Sequence, residues 1–213
     1  MGLFRKLFWL LVWGITFGFI ESSVVVYLRA LYYPEGFAFP LVPIEPKILI
    51  NEIVREATTL LIIWATATLS FERMQSKVAA FFLLFGIWDI FYYVFLKIVL
   101  DWPASPMTWD ILFLIPTPWA GPVWAPVLVA ATLIVYGIYV LALNDRGQFV
   151  DFDRKFILLE LLAGVIIVGS FILPGIDVLE GGVPENFPAP LYWAGYLLGI
   201  LAFWKLCRQK RNI

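Results

Sequence analysis

Asp89 stands near the middle of an apolar stretch, Val78 to Leu100, that is long enough to cross a bilayer. A carboxylate at that depth costs roughly 2.5 kcal/mol or more on insertion scales, and it persists where something pairs with it, hydrates it or uses it. Glu21 interrupts the first apolar stretch in the same way, with Gly18 one turn before it and Arg29 two turns after it. A carboxyl held in apolar surroundings can keep its proton at neutral pH and deliver it as a general acid. Asp89 and Glu21 are therefore the candidate catalytic residues. The plainer reading of each is a hydrogen bond that ties helices together.

Glu52, Arg55 and Glu56 open the second apolar stretch at i, i+3 and i+4, a spacing that permits salt bridges on one helix face. They are candidates for holding a polar substrate group, although acids at a helix start also suit the dipole. Tyr92 and Tyr93 share the face of Asp89 at i+3 and i+4, and Lys97 lies eight residues on. Lys97 reads either as a substrate ligand or as an anchor reaching for the interface. Trp109, Asp110 and Trp119 complete the candidate substrate-binding set, with Asp110 also readable as a first-turn cap beside Thr108. Inward-facing aromatic rings would bind an apolar ligand or steady a cation. Glu160 reads as interfacial, near the start of the fifth stretch.

Composition narrows the chemistry. Of 213 residues, 62% are hydrophobic and only 15% charged, against about 25% charged in soluble domains. The mean hydropathy is +0.89. One integral membrane domain over 1–213 is expected. A net charge of −1 points away from nucleic acid as a partner. With no histidine, the usual zinc and haem ligand and neutral-pH proton shuttle are missing, and no metal or other cofactor is expected. Cys207 is the single cysteine, so no intramolecular disulfide can form. Acid–base work falls to Asp, Glu, Lys or Tyr.

The elements that must position these groups follow from hydropathy. Apolar stretches of bilayer-crossing length cover about 7–28, 50–70, 78–100, 122–143, 156–173 and 189–206. The fold expected is an all-α, polytopic membrane bundle of six transmembrane helices. Arg5 and Lys6 precede the first stretch, which has no small-residue cleavage site and reads as an uncleaved span. Arg73, Lys77, Arg146, Arg154, Lys155, Lys205, Arg208, Lys210 and Arg211 fall on the same side if there are six spans. That bias predicts both termini cytoplasmic in a plasma (inner) membrane. Gly14, Gly18 and Ser22, and Gly195 and Gly199, recur every four residues, as on faces where helices approach closely.

The connection DWPASPMTWDILFLIPTPWAGP has Ser105 and Pro106 placed like an N-cap and first helical residue, and Pro116 and Pro118 placed to end a helix. This predicts a short re-entrant or interfacial helix over 106–115, about 15 Å long and so too short to span.

Three functional readings remain open. One is an acid-catalysed enzyme acting on a lipidic or isoprenoid-like substrate from the outer leaflet. Another is a small proton-coupled transporter, which would need a homodimer. The third is a non-catalytic subunit or scaffold of a membrane complex. Membrane lipids are the expected surroundings in all three, and a lipidic small molecule is the expected ligand in the first.

Overall fold

The computed structural model describes residues 2–208. Lys210 and Arg211, counted above in the basic bias, lie outside the described residues. Six helices follow in order: α1 (Leu3–Tyr32), α2 (Pro46–Ser70), α3 (Met74–Leu100), α4 (Trp124–Asp145), α5 (Arg154–Leu179) and α6 (Ala189–Arg208). Between α3 and α4 lie two strands, β1 (Trp109–Phe113) and β2 (Trp119–Pro122). Five helices, all but α2, are long and apolar enough to cross a membrane. Large apolar side chains stay exposed on every helix, among them Phe4, Leu61, Ile98, Val135, Val165 and Leu201. Such a surface suits a multi-pass membrane protein, whose lipid-facing side need not be polar.

α3 is the central helix and packs on α1, α2 and α4, while α5 and α6 form a second pair. Small residues set the spacing. A Cβ on Gly18 would stand 3.0 Å from the Trp88 carbonyl oxygen of α3, and one on Gly86 would stand 2.5 Å from the Ala130 carbonyl of α4. The α1 glycine face read from the sequence is thus the face that meets α3. The main core gathers Leu10, Ile63, Leu83, Leu84, Ile87 and Val140 from α1 to α4. A smaller core of Ala125, Phe171 and Tyr192 joins α4, α5 and α6, and the Tyr192 hydroxyl donates to the Ala125 carbonyl at 2.8 Å.

The helix expected over 106–115 does not form; an antiparallel hairpin takes its place. The all-α class stands, with this short hairpin as its extended part among the described residues. Ser105 does not cap a helix. Its carbonyl accepts from Thr108 N–H at 3.0 Å and its Oγ from Met107 N–H at 3.2 Å, which makes a turn. Trp109, Ile111 and Phe113 then follow, residue types that favour extended backbone. They pair with β2 in the register Trp109↔Pro122, Asp110↔Gly121, Ile111↔Ala120 and Phe113↔Trp119, with an irregularity between Ile111 and Phe113. Pro116 and Pro118 sit in the connecting loop, where neither interrupts a ladder.

An isolated two-stranded hairpin is marginal, so this one must be held from outside. α5 holds its back. Gly175 lies so close to the loop that a Cβ there would fall 1.8 Å from the Pro118 carbonyl oxygen, and Trp119 stacks on Phe171 at an interplanar angle of 7°.

Candidate functional site

The hairpin end of the bundle contains a cavity of about 60 Å³, bounded by α1, α2, α3 and β1. It has room for a few water molecules or one small polar group. Each wall contributes side chains for a local reason. On α2, Glu52, Glu56, Thr59 and Ile63 form one buried helical stripe, which turns the charges of that helix inward. On α3, Trp88 and Asp89, with Tyr92 and Tyr93 one turn later, line the cavity. β1 lays Ile111, Leu112 and Phe113 across the remaining side.

Among the described residues, Arg55 is the only cation lining the cavity, and it is already matched. Its Nε donates to Glu52 Oε2 at 2.8 Å, and its Nη1 is ion-paired with Glu21 Oε1 across from α1. Glu56 Oε2 accepts the Leu114 backbone N–H at 2.8 Å, which ties α2 to the end of β1. Asp89 is in a different position. Its Oδ2 is buried, and no group among the described residues bonds to it. The indole N–H of Trp88 next to it is also buried without a partner among them. Both residues line the cavity, which has room for a water or a small polar group.

A second polar knot seals the site from above. Arg29 Nη2 donates to Asp110 Oδ1 at 3.2 Å, and the Tyr93 hydroxyl donates to Asp110 Oδ2 at 3.3 Å. The guanidinium stacks on Trp102 at 3.7 Å and on Phe37 at 4.6 Å from the ring centres. Burial pushes the Asp110 carboxyl up to about 6, although Arg29, the Ile111 N–H and the Tyr93 hydroxyl all pull it down. The capping role anticipated for Asp110 is corrected: its helix does not exist, and its carboxylate pins the hairpin to α1 and α3.

Of the residues singled out in the sequence, Glu21, Arg55, Glu56, Asp89, Tyr92 and Tyr93 line the cavity, and Glu52 stands behind Arg55. Four others stand away from it. Lys97 turns outward to Asp101, at 2.7 Å, and its ammonium holds that exposed carboxyl below the usual range. Asp110 belongs to the knot. Trp109 packs edge-on against Phe187, and Trp119 faces α5. Arg29, Thr59, Trp88, Ile111, Leu112 and Phe113 were not among the candidates. Thr59 was detectable, because it continues the stripe of Glu52 and Glu56. Arg29 signalled itself as a cation within a long apolar helix, but its partner is 81 residues away.

Among the described residues, no three carboxylate, cysteine or histidine side chains are grouped to hold a metal ion. No family model, curated protein or solved structure matches the chain.

Proposed function

We propose that this is a six-span protein of the plasma membrane, with both termini cytoplasmic, whose cavity is an acid catalytic site for a lipidic substrate. The sixth span is α2. Its 25 residues reach about 37 Å at 1.5 Å per residue. Three of its four charges, Glu52, Arg55 and Glu56, are buried or half-buried, whereas Ile53, Val54, Leu61 and Ile62 remain exposed. The basic groups before α1, between α2 and α3, between α4 and α5 and at the end of α6 then share one side.

The observation that carries the catalytic reading is the unmatched Asp89 oxygen beside a cavity whose one cation is already neutralised. An unpaired buried carboxyl is tolerated as the neutral acid. In that form Asp89 gives its proton to an oxygen or alkene carbon of the substrate and becomes a carboxylate. It regains the proton when the resulting cation loses one from a neighbouring carbon, so an isomerisation balances with no other reactant. The faces of Trp88, Tyr92 and Phe113, and the carboxylates of Glu21 and Glu56, stand where positive charge would develop. Access from the lipid is supported by the packing: α1 and α2 both lean on α3 and barely on each other. A cavity of this size takes the reacting group and leaves the chain of the substrate between the helices.

A proton-coupled transporter is the second reading. Glu160 on α5 favours it, because its Oε1 is also buried without a partner among the described residues. Glu160 lies beside Gly199 of α6, towards the opposite end of the bundle. Comparing wild type with Asp89→Asn separates the two. Each is reconstituted with a total lipid extract, and the lipids are followed by mass spectrometry. Conversion of one species by wild type, lost in Asp89→Asn while that species stays bound, is the expected result. No conversion by either protein, together with a proton flux that Asp89→Asn abolishes, would replace the enzyme with the transporter.

A further inference from the structure

At the end of the bundle opposite the hairpin, α5 and α6 leave a shallow cleft of about 30 Å³. Lys155 from the first turn of α5 and Lys205 from the last turn of α6 border it, and Phe156, Leu159, Ala202 and Leu206 make its apolar walls. Among the described residues, neither lysine is in an ion pair. Asp153, the one acid on the rim among them, caps α5, where its Oδ1 accepts the Phe156 N–H at 2.7 Å, and two lysines face this one carboxylate. Trp204, next to Lys205 in the chain, is exposed, with the Arg208 guanidinium stacked 3.6 Å from its ring. An exposed tryptophan next to basic side chains is typical of helix ends at a membrane–water interface.

We propose that this cleft binds the headgroup of an anionic glycerophospholipid. The phosphate lies between Lys155 and Lys205. One acyl chain follows the α5–α6 seam past Leu159, where Leu158 and Leu162 of α5 already face outward. Charge complementarity selects the ligand: two lysines against one acid leave the rim net positive over an apolar floor, a pattern that fits a phosphodiester attached to hydrocarbon and not a zwitterionic headgroup carrying its own ammonium. The site is independent of the cavity and of the reading given to it.

The delipidated protein is titrated in detergent with phosphatidylglycerol, phosphatidylcholine and inorganic phosphate, and bound lipid is counted by native mass spectrometry. Each basic residue near an anionic surface strengthens association about fivefold. Wild type should therefore prefer phosphatidylglycerol, and Lys155→Gln/Lys205→Gln should lose at least about fivefold of that preference. Both lysines are exposed, so the double variant should keep its helix content and monodispersity. Lys97→Gln, at the other end of the bundle, should change nothing. Equal affinity for the two lipids, or a preference that survives the double variant, would overturn the proposal. Competition by millimolar inorganic phosphate would also overturn it, by showing that the cleft reads a free anion.

Discussion

Arg29 Nη2 lies 3.2 Å from Asp110 Oδ1, and the bond joins two side chains 81 residues apart, 8% and 3% exposed. One belongs to the first helix and the other to a strand, so this pair ties the hairpin to α1 beside the cavity. Removing one partner of a buried pair strands the other, at about 3–5 kcal/mol, whereas replacing both with apolar groups of similar size is often neutral. Asp110→Ala should therefore lower the thermal midpoint in mild detergent sharply. Arg29→Met/Asp110→Leu should recover most of the loss. A double variant as unstable as the single one would show that the charge itself is required.

The same carboxyl sets a pH dependence. Asp110 titrates at about 6 in the folded protein and near 3.9, the ordinary aspartate value, when unfolded. The folded state thus holds a proton that the unfolded chain releases between these values. The resulting stability is complete below the unfolded value and is lost as pH rises through about 6. The thermal midpoint of wild type minus that of Asp110→Asn, which cannot ionise, should rise as pH falls from 7 to 4. A difference that stays constant over that range would mean that Asp110 does not titrate there.

Two glycines of α5 should respond oppositely to alanine. A Cβ on Gly164 would meet nothing within 4 Å, whereas one on Gly175 would meet the Pro118 carbonyl oxygen at 1.8 Å. Gly164→Ala should leave stability unchanged or raise it by up to about 1 kcal/mol. Gly175→Ala should cost about 1–3 kcal/mol, the usual penalty for overpacking. It should also speed hydrogen exchange at the amides of β2. Unchanged exchange there would mean that the hairpin does not rest on α5.

The six-span arrangement is tested by reporter fusions. Those at Pro43 and Glu180 should report the outside, and those at Gln75 and Gln148 the inside. The same signal at Pro43 and Gln75, which flank α2, would remove α2 as a span.

Helix positions were legible in the sequence because long apolar runs admit few alternatives, and the cluster of Glu52, Arg55 and Glu56 followed from helical spacing, although Thr59 one turn on was passed over. The hairpin was not legible. Serine and proline at 105 and 106 imitate a helix start, and only the local bonds of Ser105 with Met107 and Thr108 reveal a turn. Lys97 read more readily as an outward anchor than as a site residue, and the outward role is met by Asp101, whose left-handed backbone closes α3 and presents a carboxylate to it. The partner of Arg29 was out of reach for a different reason: no periodicity links residues on a helix and a strand so far apart.

The docking of Pro118 against Gly175 also has a bearing on biosynthesis. Every carboxylate around the cavity has been translated by the end of β1, yet the surface that braces the hairpin belongs to α5, about sixty residues later at a pace of roughly 5–20 residues per second. A nascent chain therefore carries an unfinished, water-accessible cluster of acids for several seconds, and a truncation after α4 would never close it. Quality control in the membrane would meet this protein with its charges exposed and its lid unbraced.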